Sequence, residues 1–382
     1  MAVVARPSRR RRVGVGVLLV AAAYIGATLV AGSLLGSKSP KIQNEPTRGL
    51  PPSGHPRASG THGAGPSGAA GPAVRPGPAG REWHVFAAAG AGGDGSPAHP
   101  FGDIGEALKE ARGGDVVRVG PGVYPGFVTV RSGENDAPIS IVGSSAAIRG
   151  DGKGHLVEIL HDHVTLQGFD ISRADPPVHV FRASGVRLLD NVIHDAGGEC
   201  VRIKYFSTAN EVSGNRISGC GLDFDASDHH KNGEGIYIGT APEQLRRNPT
   251  HERDASNDNW IHDNVISSPA ECVDIKEGAS GNRVENNVCT GGQDPDGAGF
   301  SVRGSGNVFR NNTSSGHRGA GIRLGGDKKG DGLDNVVVGN HFTGNRGLGV
   351  KVEREPQAQI CGNDVSDNDK VTNGDTDPRS SC

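Results

Sequence analysis

The sequence predicts an all-β right-handed parallel β-helix, a solenoid of short stacked strands, with a short N-terminal capping helix. Three observations predict it. Asn or Gly recurs at near-constant spacing, at Gly168, Asn191, Asn215, Asn264, Asn287, Asn312, Asn340 and Asn363. Short apolar segments flank these positions, among them Val186-Arg-Leu-Leu, Trp260-Ile-His, Val308-Phe-Arg and Val336-Val-Val. Glycine is abundant, at 61 of 382 residues, as a chain of tight turns demands.

Most steps between these positions are 23 to 28 residues, and one of 49 equals a coil plus an insertion of similar size. Such a period holds three short strands and three turns. Helical solenoids repeat over longer stretches, and the leucine skeleton of leucine-rich repeats is missing. Stacked Asn amides at a tight turn can bond to the coils above and below, which gives the column a structural reading. Each coil buries its apolar face only against neighbours, so the ends need caps. The N-terminal cap is visible as a helix over Asp103–Arg112. Ile104, Ala107, Leu108 and Ala111 form its apolar stripe, and Asp103 with Glu106 opens it like a capping box.

Four organisational units follow. Residues 1–12 form a basic tail with arginines at 9 to 12. Residues 13–36 carry no charge and are long enough to span a bilayer. Basic residues before an apolar span place the remainder outside the cytoplasm. Both an uncleaved transmembrane anchor and a cleaved signal peptide fit, the latter with small residues at Ala31-Gly32-Ser33. Residues 37–82, rich in Pro, Gly, Ser and Ala, read as a disordered spacer. Residues 83–382 form the β-helix, expected as an extracellular monomer, cell-surface anchored or secreted, touching membrane only through the N-terminal segment.

The net charge of −3 argues against nucleic acid as a partner. Six cysteines with no CxxC pair suggest disulfides in an exported chain rather than zinc. The pairing stays open; Cys361 with Cys382 would tie down the tail.

One strand of each coil aligns register by register: Glu199-Cys-Val-Arg-Ile-Lys204, Glu234-Gly-Ile-Tyr-Ile-Gly239, Glu271-Cys-Val-Asp-Ile-Lys276, Ala298-Gly-Phe-Ser-Val-Arg303, Ala320-Gly-Ile-Arg-Leu-Gly325 and Leu348-Gly-Val-Lys-Val-Glu353. Strand side chains alternate faces, so the Val, Ile and Phe positions point inward and the fourth and sixth positions point outward. The fourth column reads Arg202, Tyr237, Asp274, Ser301, Arg323, Lys351. The sixth reads Lys204, Gly239, Lys276, Arg303, and the first begins Glu199, Glu234, Glu271. With coils about 4.8 Å apart, Glu234 above Glu271 and Lys276 beside Arg303 each need a counter-charge. A hard cation such as Ca²⁺ would suit the carboxylates, and an anionic ligand the basic pair. An acidic, uronate-containing polysaccharide brings both needs together.

The stretch Phe86–Val130 resembles the opening of secreted β-helix proteins of the pectate-lyase-like superfamily. It does so through Gly93-Asp94-Gly95-Ser96, Pro100-Phe101, the helix, Gly114-Asp115-Val116-Val117 and Gly120 to Tyr124. The column residues resemble the alginate and chondroitin lyase family, in which a Glu lies five residues before a Lys at a strand end, with an Arg one coil on. Glu271, Lys276 and Arg303 match that pattern. The resemblance implies β-elimination on a uronate polysaccharide, with Lys276 removing the C5 proton and Arg303 assisting at the leaving side. It also implies Ca²⁺ held by Glu271 with Glu234 or Asn232. Asp274, Tyr237, Arg323, Lys204 and Arg202 would then contact substrate. The sequence departs from the family at Pro269, where a further glutamate is expected, and around Phe300-Ser-Val-Arg-Gly. A lysine base must be neutral, so its pKa must fall well below about 10.4; Arg303 would lower it, whereas Asp274 and Glu271 would raise it.

Two rivals use the same scaffold: a non-catalytic glycan-binding or structural module, and a carbohydrate epimerase or hydrolase. A hydrolase would need two facing carboxyl groups, for which Asp274 with Glu271 or Glu234 qualifies. Elsewhere, Asp223, Asp225 and Asp228 read as a polar loop, and His229, His230, His251 and His262 as surface histidines. The Asp327-Lys-Lys-Gly-Asp331 loop reads as a solvated turn, and the insertion Thr240–Asp258 as a possible groove wall.

Overall fold

The computed structural model describes residues 80–227 and 231–382. The basic tail, the apolar segment 13–36, most of the spacer, and Asp228, His229 and His230 lie outside the described residues. Among the described residues, no helix is long and apolar enough to cross a membrane.

The chain is a right-handed parallel β-helix with very little helix. Its first strand, Glu82–Val85, pairs with Val116–Val119. The capping helix Ile104–Glu110 buries Ile104, Ala107 and Leu108 against the first coils. Asp103 is its N-cap, accepting a hydrogen bond from the Glu106 N–H at 3.2 Å. The sequence placed the C-terminal end two residues late, because Ala111 leaves helical conformation.

Two sheets of 19 and 10 strands follow. In two early coils a single strand of 11 residues, Ile139–Arg149 and then Val164–Ala174, runs round two sides of the coil. Further on that strand breaks in two: Val164–Ala174 pairs with both Arg187–Leu189 and Val192–Ala196. Asn191 occupies the break, and later coils repeat it, as at Asn287 between Arg283–Glu285 and Val288–Thr290. The residue before each Asn has positive φ, at Asp190, Gly214, Asp263, Asn286, Asn311, Gly339 and Gly362. Asp, Asn and Gly tolerate that conformation best, which is why the sequence reads Asp-Asn, Asn-Asn or Gly-Asn there.

The Asn column is a continuous ladder. Each Asn backbone N–H donates to the side-chain oxygen of the Asn one coil on, at 2.9–3.1 Å from Asn191 to Asn340. A second ladder runs five residues upstream through Asn210, Asn259, Asn282, Asn307 and Asn335, each again 0–2% exposed. The sequence reading noted only the first, although the Asn-x4-Asn pair is plain once one ladder is known. Apolar residues fill the space between the walls: Val273, Ile275, Phe300, Val302, Ile322 and Leu324 are fully buried.

Disulfides join Cys200 to Cys220, Cys272 to Cys289 and Cys361 to Cys382, the last tying down the tail as expected.

Candidate functional site

The ten-stranded sheet carries the site. Its register places Arg202, Tyr237, Asp274, Ser301, Arg323 and Lys351 in one file across successive coils. Strand alternation turns their side chains away from the core. Yet Asp274, Tyr237 and Ser301 are 1%, 2% and 0% exposed, and Lys276 6%. The outward face is therefore not an open sheet of solvated charge here.

Walls account for this burial. A cavity of about 340 Å³ is lined by Glu234, Tyr237, Glu271, Asp274, Lys276, Arg303 and Arg323 on its floor. Glu243 and Gln244 line it from the insertion, in the 3₁₀ helix Pro242–Arg247. Asn232, Lys231, Asp294 and Asp296 close another side, where Lys231 Nζ spans to both Asp294 carboxylate oxygens at 3.0 and 2.9 Å. Buried Asp254 clamps the insertion: it accepts from the backbone N–H groups of Tyr205 and Phe206 and from the Thr240 and Ser256 hydroxyls.

Lys276 Nζ donates to Asp274 Oδ2 and lies 4.5 Å from the Tyr237 ring centre. Arg303 Nε is 4.0 Å from Asp274 Oδ1; its Nη1 lies 3.7 Å from Glu277 and 3.3 Å from Asp327. Lys276 and Arg303 thus share one face, as the register required. Glu234, Glu271 and Asp274 bring carboxylate oxygens within 4.8 Å of one another.

Burial raises the pKa of Glu234 to about 8, helped by Glu199 and opposed by Lys276. Burial likewise raises Glu271 to about 7, with Asp274 adding to it. For Asp274 burial acts upward too, but Lys276 and then Arg303 outweigh it and hold the group below the usual carboxylate value. Lys276 is the mirror image: burial pushes down, and Asp274 and Tyr237 push up further. The pair is ionised, and Lys276 is an ammonium in this state.

Of the other residues expected at the site, Arg323 lines the cavity and gives its Nε to Glu353 at 2.7 Å. Arg202 pairs with Glu199 and packs over Tyr237 at 5.5 Å, behind the cavity. Lys204 stands outside the lining. Asp274, expected to face substrate, lines the cavity and also joins the carboxylate cluster and the ion pairs. Sequence reasoning missed Glu277, which is 5% exposed, ion-paired with Arg303 at 3.7 Å and without a hydrogen bond to either carboxylate oxygen; its only signal was its place directly after Lys276.

The loop read as a solvated turn is exposed over Asp327, Lys328, Lys329 and Gly330, but not at its last residue. Asp331 is 2% exposed and pairs with Arg253, while Asp327 reaches Arg303. His262 is also no surface histidine. It is 8% exposed, stacked on Trp260 at 3.7 Å, with Nδ1 2.6 Å from Asp263.

A family model described as periplasmic copper-binding protein (NosD) matches residues 231–378. No curated protein sequence matches the chain. Among solved structures, an alginate lyase from Paenibacillus sp. str. FPU-7 superposes with TM-score 0.59 at 22% identity, covering 77% of this chain and 99% of that one. Pectate lyase Pel9A gives TM-score 0.54 at 13% identity, over 79% and 82%. A mannuronic acid specific polysaccharide family 6 lyase from human gut microbiota gives 0.52 at 17%, over 75% and 64%. What these likenesses share with the chain is the fold, a right-handed parallel β-helix.

Proposed function

We propose that the walled cavity binds an acidic, uronate-containing polysaccharide and cleaves it by β-elimination outside the cytoplasm. One observation carries the reading: buried Lys276 and half-buried Arg303 line a single groove with a cluster of three carboxylates. The three solved structures of similar fold named above are polysaccharide lyases, and the three disulfides suit an oxidising compartment.

The carboxylates fit a hard divalent cation such as Ca²⁺, which takes oxygen ligands. Glu234, Glu271 and Asp274 would hold it, with Asn232 at the rim; burial first, and neighbouring carboxylates after it, raise the pKa of the two glutamates, which a bound cation would lower. When bound, the ion supplies charge neutralisation, for the uronate carboxylate and for the Asp274 charge that now keeps Lys276 protonated. The chain does the rest. The Arg303 guanidinium binds substrate carboxylate or the leaving oxygen. Lys276 Nζ, once neutral, takes the C5 proton. The C5–H electrons then form the C4–C5 double bond as the bond from C4 to the glycosidic oxygen breaks, and water protonates that oxygen. The Tyr237 ring fixes the position of Nζ.

The copper of the family description is not carried over to this cavity. Carboxylate oxygens suit hard cations, whereas copper prefers imidazole and sulfur donors.

A second reading is a non-catalytic glycan-binding module. It is favoured by the closed Lys276–Asp274 pair, which withholds the base. Incubating the residue 80–382 domain with alginate, pectate and chondroitin, with and without Ca²⁺, separates the readings. New unsaturated ends support elimination, and binding without turnover supports the module. Reducing ends without unsaturation mean hydrolysis and reject both.

A further inference from the structure

We infer that His155, Glu158 and His179, at the N-terminal end of the same sheet, form a binding site for one divalent transition-metal ion of the zinc–copper class. The site is separate from the carboxylate cavity and lies outside residues 231–378.

The fold assembles it from two coils. Glu158 and His179 are register partners on adjacent strands, Val157–Ile159 and Val178–Phe181, and both side chains turn outward. His155 stands in the turn before the first of these strands. Its Nδ1 is 3.3 Å from Glu158 Oε2, and His179 Nδ1 is 3.9 Å from the same oxygen. One ligand atom from each of the three residues lies within 4.8 Å of the others. Ligands about 2.0–2.1 Å from a tetrahedral ion sit roughly 3.3 Å apart, so His155 and Glu158 already stand at ligand spacing and the His179–Glu158 pair needs about half an ångström of side-chain adjustment.

His179 makes the cluster more than a surface ion pair. It is 6% exposed, and neither ring nitrogen has a hydrogen-bond partner. Buried polar atoms are nearly always paired, so an imidazole left this way calls for an occupant. The ring packs 4.1 Å from His155 and 5.4 Å from Phe181, which fixes its direction. Burial, followed by His155, Arg202 and Lys204, keeps it neutral, so its lone pair is free to coordinate. Arg202 and Lys204 are the cations facing the site, and Arg202 is balanced by Glu199. Two imidazoles and one carboxylate select zinc or copper over calcium, and three protein ligands leave one position for water or a ligand. His155 and Glu158 are partly exposed, which gives the ion a path in.

The test is calorimetric titration of the domain with Zn²⁺ in excess Ca²⁺, which occupies the hard-oxygen cavity. One Zn²⁺ per chain is expected. Affinity should fall about 100-fold or more in His155→Ala, which alters an exposed side chain, and in His179→Phe, which keeps a buried ring. Zinc-edge absorption should show two imidazole ligands, and Glu271→Gln should leave binding unchanged. If His179→Phe fails to fold, Glu158→Gln takes its place with the same expected loss. Absence of Zn²⁺ binding in the wild type, or equal affinity in these variants, overturns the inference.

Discussion

Replacing Asn287 by Ala removes one rung of the ladder that holds the coils in register. The Asn287 amide donates to the carbonyls of Ile261 and Glu285 at 2.9 and 3.0 Å and to Asn312 Oδ1 at 3.0 Å. Its own oxygen accepts from the Asn264 backbone N–H at 3.1 Å and from Asn264 Nδ2 at 2.9 Å. Asn312 Oδ1 keeps the Asn287 backbone N–H, and Asn264 Nδ2 keeps the Val212 and His262 carbonyls. The Asn264 backbone N–H, in a residue with no exposure, is therefore the group stranded outright. A stranded buried group costs about 1–3 kcal/mol, and two further bonds to carbonyls are lost at about 1 kcal/mol each. The expected destabilisation is about 3–5 kcal/mol, a large share of the stability of an ordinary domain. Urea unfolding with linear extrapolation measures it. A solenoid couples each coil only to its neighbours, so hydrogen exchange at residues 261–264 should accelerate even where the global midpoint moves little. An unchanged midpoint together with unchanged protection at Asn264 would refute the ladder's energetic role.

Three further expectations concern the site and its supports. Ca²⁺ should raise the melting temperature of the wild-type domain, and Glu271→Gln should abolish most of that rise in a thermal scan. His317 is fully buried; burial lowers its pKa to about 4 against the ordinary 6.5. The unfolded chain thus takes up its proton first, and stability present above pH 6.5 is lost as pH falls toward 4. Folding should weaken by about 2 kcal/mol at pH 5, a slope that His317→Gln should lack in acid titrations of unfolding. Replacing both Cys272 and Cys289 by Ala opens a loop with a sequence separation of 17 residues and should cost about 3 kcal/mol in urea unfolding.

The fold was legible because its devices repeat. Asn287 alone says nothing, but Asn at matching places in successive coils, each after Asp, Asn or Gly, announces a stacked turn. The facing of Lys276 and Arg303 was legible for the same reason, since register follows once the period is known. Burial was not legible. Nothing in the strand Val273–Ile275 says that Asp274 is covered, because the cover comes from Glu243 and Gln244 in the insertion and from the Asp294 loop, which obey no repeat. The direction of the Lys276 shift also escaped sequence: Arg303 and Asp274 oppose each other, and only the contact between Lys276 Nζ and Asp274 decides it. His179 escaped because the column was begun at Arg202, two coils too late; His179 is its member one coil upstream and Glu158 two.

The most direct test compares the rate at which unsaturated ends appear from a uronate polysaccharide in Ca²⁺ for the wild-type domain and for Lys276→Ala. Elimination by Lys276 predicts a measurable rate in the wild type and a fall of about 100- to 10,000-fold in a folded variant, the range a general base supplies. Equal rates in the two proteins, or no unsaturated ends from the wild type on alginate, pectate or chondroitin, would contradict it.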